Sequence, residues 1–155
     1  MSVSVIYKEI SSVEFAELDC IILFHEEKTA RRFGLITNGL MSFKFSWQSD
    51  TIDPVVKVYE NSFYCLGIDQ TFSIIKFNEK AFPSVIKLDY LLYDIRFING
   101  VIWVITELEI LLIDATYNEI IKRISLPSFF QEITSESPLV AVECMEGEIV
   151  YVKVP

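Results

Sequence analysis

The only histidine in the chain, His25, is the residue on which a Ser–His or Cys–His catalytic pair would depend. It follows an apolar run and stands directly before Glu26-Glu27, and the sequence has no Gly-x-Ser-x-Gly motif to supply a serine nucleophile. We therefore expect His25 to be a strand-end histidine that faces solvent or a carboxylate.

Closely spaced carboxylates could in principle carry out acid–base chemistry on a glycan. Three such pairs occur, Glu26/Glu27, Glu107/Glu109 and Glu146/Glu148. Each pair adjoins a predicted turn, where solvated charge is expected in any case. The sequence also lacks zinc-ligand spacing, a glycine-rich phosphate loop and a dinucleotide fingerprint. It therefore predicts that the protein is not an enzyme and uses no cofactor or metal.

The three cysteines, Cys20, Cys65 and Cys144, each lie within an apolar, strand-like run. An odd number of cysteines in such positions is typical of buried free thiols rather than disulfides or metal ligands. The first residues show no signal peptide, and the longest uncharged runs fall well short of the ~18 residues of a membrane helix. These features predict a cytoplasmic protein.

The structural element that the sequence predicts most clearly is a hairpin over Tyr93–Thr106. Asn99-Gly100 is a strong signal for a two-residue turn, because both positions of a type I′ turn need positive φ. Folding about this turn pairs Phe97 with Ile102, Ile95 with Val104, and Arg96 with Trp103. One face of the hairpin is then apolar and the other is mixed.

Similar hairpins are predicted upstream at Glu60-Asn61 and downstream at Glu146-Gly147. In these hairpins Val58 is expected to face Phe63, Val56 to face Cys65, Lys57 to face Tyr64, Cys144 to face Ile149, and Val142 to face Tyr151. The three hairpins together predict that twelve side chains point inward: Val56, Val58, Phe63, Cys65, Ile95, Phe97, Ile102, Val104, Val142, Cys144, Ile149 and Tyr151.

Two four-stranded units are predicted, Val55–Leu88 and Asp94–Leu126, each a hairpin followed by two further strands. Before them we expect strands over Ser2–Ile10, Asp19–His25, Arg31–Thr37 and a half-buried Met41–Trp47, with a loop or a helical turn capped by Ser12 over Ser11–Leu18. After them we expect a loop with at most one helical turn over Pro127–Pro138, and a final hairpin over Leu139–Val154.

A repeated four-stranded meander resembles the blade of a β-propeller. The motif apolar-x-Phe-x-Asn-Gly-x-Ile-Trp-Val at 95–104 is similar to the inner hairpin of blades in bacterial propellers, and the resemblance covers about 100 residues. We therefore expect residues 1–155 to form a single all-β domain of antiparallel meanders of blade-like hairpins, arranged either as a propeller-like stack or as a two-sheet sandwich.

The formal net charge of −9 is unevenly placed. Residues 101–155 carry nine acidic and three basic side chains, a balance of −6, against −3 for the first hundred residues. Such a surface repels nucleic acid and anionic membranes and attracts basic proteins, although acidity can also serve solubility alone. The acidic residues that we expect to contact a partner are Glu107, Glu109, Glu132, Glu136, Glu143, Glu146 and Glu148.

Aromatic residues suggest further contact positions. Trp103 and Tyr64 fall on the mixed hairpin faces beside Arg96 and Lys57, which predicts either internal cation–π pairs or a partner-binding surface. The adjacent Phe129 and Phe130 lie in a polar loop with Glu132 and Glu136, and they are either anchors for a partner or tucked under the domain.

In size, acidity and lack of catalytic motifs the chain resembles the immunity proteins of bacterial toxin–immunity pairs. This resemblance implies a non-enzymatic inhibitor that covers the active site of a basic toxin such as a nuclease. Two alternatives remain: a propeller-type adaptor for protein–protein interaction, and a glycan-binding or hydrolytic β-domain. Acidic turns clustered on one side would favour the inhibitor. Carboxylates that converge in a deep pocket would favour the enzyme, and an exposed apolar edge would favour the adaptor.

Overall fold

The computed structural model describes residues 4–59, 63–77 and 82–153. Within these residues the chain is almost entirely β, which confirms the predicted fold class. The elements are β1 Ile6–Ile10, α1 Ser12–Glu17, β2 Ile21–Phe24, β3 Arg32–Thr37, β4 Ser42–Trp47, β5 Val55–Tyr59, β6 Phe63–Ile68, β7 Thr71–Lys76, β8 Ser84–Lys87, β9 Leu92–Ile98, β10 Val101–Thr106, β11 Glu109–Asp114, β12 Glu119–Ser125, β13 Phe130–Ser135, β14 Val140–Cys144 and β15 Ile149–Val152.

The strands form four sheets, which we number in chain order. Sheet 1 has the strand order β1-β3-β4-β2 and includes one parallel pair, β2 with β4. Sheet 2 (β5 to β8), sheet 3 (β9 to β12) and sheet 4 (β13 to β15) are antiparallel meanders in which consecutive strands pair. Sheets 2 and 3 correspond to the two repeat units expected from the sequence.

Three apolar clusters show that the sheets are stacked face to face in chain order. One cluster joins sheets 1 and 2, through residues such as Phe45 and Leu66. The next joins sheets 2 and 3, through residues such as Cys65 and Ile102, and the third joins sheets 3 and 4, through residues such as Trp103. Among the clusters of described residues none joins sheet 4 back to sheet 1, and the arrangement agrees with either predicted form, a stack of blade-like hairpins or an all-β sandwich.

The hairpin of β9 and β10 has the predicted register. Ile102 is opposite Phe97, Val104 is opposite Ile95, and Trp103 is opposite Arg96. Asn99 and Gly100 have φ of 50° and 77°, as a type I′ turn requires.

The registers predicted for the other two hairpins are wrong by one residue. Val58 is opposite Tyr64, and Val142 is opposite Val150. In the last hairpin the Cys144 amide bonds to the Glu148 carbonyl at 2.8 Å, so its loop has three residues instead of two. In the first, the predicted turn at Glu60-Asn61 lies outside the described residues.

A one-residue change in register moves every side chain of a strand to the opposite face of its sheet. Three of the twelve side chains expected to point inward are exposed for this reason: Val58 (53%), Ile149 (49%) and Tyr151 (65%). The other nine are buried or packed against a cluster, since the strands that carry them are covered on both faces or keep the expected side inward.

The helix α1 covers the outer face of sheet 1. Its N-cap is Ser11, whose hydroxyl accepts the Glu14 amide, and not Ser12 as expected. Phe15 packs on this face, and Lys44 donates to the carbonyl groups of Phe15 and Leu18 at 2.6 and 2.7 Å. Because α1 lies over this face, β4 is almost fully buried instead of half-buried.

Residues 127–138 do not form the expected loop, because their middle part is strand β13. Phe130 and Ile133 pack into the cluster between sheets 3 and 4, and both are paired with β14. Burial of these two side chains outweighs the polar composition of the segment. The final hairpin is therefore part of a three-stranded sheet.

Two buried thiols give a test of this packing. Burial raises the pKa of Cys65 to about 12, and burial also raises the pKa of Cys144. Since the thiolate is the reactive form, we expect iodoacetamide at pH 8 to modify the partly exposed Cys20 first and the other two only after unfolding. Peptide mapping of the native and urea-unfolded chain measures this, and equal native labelling of Cys65 and Cys20 would contradict the packing.

A pH-dependent contact ties sheet 1 to the segment before sheet 2. Arg32 donates to both carboxylate oxygens of Glu9 at 2.8 and 3.0 Å and to Asp53 at 2.5 Å. The hydrogen bond from Arg32 lowers the pKa of Glu9 below its ordinary value of 4.5. The stability that Glu9 contributes is therefore present above pH 4.5 and is lost as the pH falls through the lowered pKa.

Urea unfolding of the wild type and of Glu9→Gln as a function of pH measures this contribution. We expect the wild type to be the more stable of the two near neutral pH, with the difference shrinking below pH 4.5. A difference that stays constant across this range would show that the ion pair does not act on folding.

Candidate functional site

The His25 side chain has a different environment from the one expected. Its Nδ1 lies 2.6 Å from the Ser46 hydroxyl, and its ring packs against Phe15 with 4.7 Å between the ring centroids. Ser46 is 3% exposed, and the cavity beside the pair has a volume of about 20 Å³, room for about one water molecule. The pair has the spacing of a nucleophile and its base, and the cavity directly beside it is small.

Backbone hydrogen bonds bring two acidic turns together with the connection between sheets 3 and 4, at one end of these sheets. The amide of Phe130 donates to the carbonyl of Glu107, in the β10–β11 turn, at 2.8 Å. The amide of Met145, in the β14–β15 turn, donates to the carbonyl of Phe129 at 2.7 Å. The connection between the two sheets thus lies directly between the two turns.

Ser128 fixes the third part of this arrangement. Its hydroxyl donates to Glu148 Oε1 at 2.7 Å and accepts the amide of Glu146 at 3.2 Å. Glu146 is exposed, and Glu148 is half-buried, so the hydroxyl holds both residues of the turn beside the connection. The structure therefore brings together Glu107, Glu146 and Glu148 around residues 126–130.

Apolar side chains lie among these carboxylates. Phe129 is 52% exposed and Met145 is 60% exposed. Tyr93, 55% exposed, packs on Phe130 with 5.0 Å between ring centroids. We call the surface formed by Glu107, Phe129, Met145, Glu146 and Glu148 the acidic end.

The charges of the acidic end are not neutralised within the part of the chain that the structure describes. Arg123, which precedes the connection between sheets 3 and 4, contacts Glu109 at 2.8 Å and Asp89 at 3.8 Å. None of the ion pairs between described residues includes Glu107, Glu146 or Glu148. Glu109, with a side chain 13% exposed, thus serves an internal contact. Of the other three, Glu146 is exposed, and Glu107 and Glu148 are half-buried.

Two predicted contact residues are in the core, which corrects the expectation that they form a partner surface. Trp103 is 0% exposed and Phe130 is 3% exposed, because both lie in the cluster between sheets 3 and 4. Tyr64 is half-buried and packs edge-on against Phe77, with ring centroids 5.6 Å apart. Arg96 is opposite Trp103 across the hairpin, and its guanidinium group lies 3.6 Å from the Asp94 carboxylate.

The remaining predicted carboxylates lie in sheet 4, on its strands or in the β13–β14 connection. Glu132 and Glu143 are directly opposite each other on β13 and β14. Glu136 is exposed in the connection between these two strands, at the other end of β14 from Glu146.

Sequence reasoning missed Met145 and Ser128 as parts of the surface. The signal that could have found Met145 is Gly147, whose φ of 93° suits the last position of a three-residue turn over Met145–Gly147. For Ser128 no local signal exists, since its role depends on the neighbouring strand.

Comparisons with known proteins found no matching family model and no matching curated protein. Over residues 4–59, 63–77 and 82–153, no group of three or more His, Cys, Asp or Glu side chains is placed to hold a metal ion. Within the same ranges, no helix has the length and apolar character needed to cross a membrane.

Proposed function

We propose that the protein is a non-enzymatic inhibitor of the immunity type. It binds a basic protein toxin, such as a nuclease, and covers the active site of that toxin. The observation that supports this function is the convergence of Glu107, Glu146 and Glu148 around the exposed Phe129, with no ion pair to neutralise them among the described residues.

The physical basis is electrostatic complementarity. A nuclease must be basic where it holds phosphate groups, so an inhibitor that presents carboxylates can occupy the same surface. Three carboxylates on turns act as the phosphate substitutes, and Phe129 and Met145 supply apolar contact area among them. Aromatic residues are enriched in the buried centre of interfaces and among the residues that dominate binding energy.

A second candidate, the protein-interaction adaptor, draws support from exposed apolar side chains. Ile149 and Tyr151 stand on the outer side of sheet 4, where no other sheet packs against the described residues. An adaptor would bind through this apolar face alone, and its affinity would depend little on salt.

Co-expression with a basic toxin encoded next to the gene tests the inhibitor function. We expect the chain to co-purify with the catalytic domain of the toxin, to abolish its nuclease activity in vitro and to protect cells that express it. A chain variant with Glu107→Lys and Glu146→Lys should lose most of this protection. Full protection by that variant would contradict the proposed role of the acidic end.

A further inference from the structure

The outer face of sheet 4 is the uncovered end of the stack. On β14, Val140, Val142 and Cys144 point into the cluster shared with sheet 3. Side chains alternate along a strand, so Glu143 points to the opposite side, and Ile149 and Tyr151 on β15 share that side with it. At the other end of the stack, α1 covers the corresponding face of sheet 1.

This outer face has an apolar centre with two carboxylates beside it. Ile149 is directly opposite Glu143, and Tyr151 is opposite Ala141. Glu143 is in turn opposite Glu132 across β13 and β14. We call the surface formed by Glu132, Glu143, Ile149 and Tyr151 the outer face.

The pairing of Glu132 with Glu143 lowers the stability of the isolated chain. Like charges directly opposite each other on neighbouring strands are destabilising. Neither residue takes part in an ion pair with another described residue. The exposed Lys153 adds one positive charge on this side, against the two negative charges of Glu132 and Glu143. A cation from outside the chain would relieve this repulsion.

We infer that the outer face is a docking surface for a basic protein segment that places an apolar side chain against Ile149 and Tyr151 and a cation between Glu132 and Glu143. The inference rests on the proposed function in taking the partner to be a basic protein. It adds a second contact region, on strands β13 to β15, to the turns of the acidic end.

Charge decides between this partner and a second copy of the chain. In a twofold-symmetric dimer the same patch meets itself, so Glu132 and Glu143 would be brought close to their own copies. Burying carboxylates against carboxylates without cations is strongly unfavourable. A basic segment supplies the missing charges and the apolar contact together.

Two short peptides test the inference without knowledge of the natural partner. One alternates Lys with Val and Tyr, and the other has Glu in place of each Lys. We expect the Lys peptide to bind at least about tenfold more tightly. In ¹⁵N-labelled protein its NMR shift changes should centre on Glu132, Glu143, Ile149 and Tyr151.

A matched pair of variants identifies the contact. Tyr151→Ser should weaken binding of the Lys peptide about tenfold, because it removes the central aromatic anchor. Tyr117→Ser is the control, since Tyr117 is 73% exposed in the β11–β12 turn, and it should leave binding unchanged. Both side chains are exposed, so both variants should keep the fold.

Three results would overturn the inference: equal binding of the two peptides, shift changes confined to the acidic end, or a dimer in sedimentation that Tyr151→Ser dissociates. The proposed function is tested separately, by measuring whether the chain neutralises a basic toxin. A chain that neutralises no basic toxin but binds the Lys peptide at the outer face would refute the inhibitor role and support the docking surface.

Discussion

Replacing Trp103 by Ala will lower the free energy of unfolding by about 3–5 kcal/mol. The side chain is 0% exposed at the centre of β10, where it lies opposite Arg96 on one side and Leu112 on the other. Its ring belongs to the cluster between sheets 3 and 4, so its removal leaves a cavity where the last sheet attaches. Urea unfolding followed by tyrosine fluorescence and circular dichroism measures the loss.

Tyr117→Ala is the matched control for this substitution. Tyr117 is also a large aromatic residue of sheet 3, but it is 73% exposed, so its truncation should change stability by no more than about 0.5 kcal/mol. Equal effects of the two substitutions would mean that Trp103 lies at the surface and that sheet 4 does not cover it.

Reversing two charges of the acidic end will slow binding to a basic toxin by about tenfold or more. Glu107→Lys and Glu146→Lys change the charge of two adjacent turns while leaving the Ser128–Glu148 hydrogen bond in place. Glu109 is unsuitable for this purpose, because its reversal would break the contact with Arg123. The effect should fall mainly on the association rate, since these carboxylates steer the encounter.

The matched control for the charge reversal is Glu17→Lys with Glu27→Lys. Both residues are exposed and belong to the region of sheet 1, and the double variant has the same net charge as the first one. If net charge alone mattered, the two double variants would bind equally slowly. We expect the control to associate at nearly the rate of the wild type.

The sequence could specify the β9–β10 hairpin in full, because Asn99-Gly100 determines both the turn type and the register. It could not specify the last hairpin, since Glu146-Gly147 is compatible with a two-residue or a three-residue loop. The extra residue moved Ile149 and Tyr151 to the outer face. Loop length, and not hydrophobic pattern, was the missing information.

The burial of Trp103 could not be predicted because alternation along one strand does not show what covers its second face. Arg96 opposite Trp103 predicted a mixed face. The covering layer comes from β13, whose residues between Pro127 and Pro138 have the composition of a loop. Because β13 is stabilised mainly by the burial of Phe130 and Ile133, its sequence shows little of the alternating apolar pattern that predicts a strand.

The sequence could predict which residues belong to the candidate site, but not that they form one surface. Glu107, Glu146, Glu148 and Phe129 were all expected to contact a partner from charge and aromatic content. Their convergence depends on hydrogen bonds between turns, such as that from Phe130 to Glu107. Such contacts join segments far apart in sequence, and no local pattern records them.

The salt dependence of association tests the proposed inhibitor function most directly. Stopped-flow mixing with the basic toxin would give the association rate constant from low to high ionic strength for the wild type and both double variants. We expect a steep fall with salt for the wild type and for Glu17→Lys/Glu27→Lys, and a slow, nearly salt-independent rate for Glu107→Lys/Glu146→Lys. Rates that are the same for all three proteins and insensitive to salt would contradict binding through the acidic end.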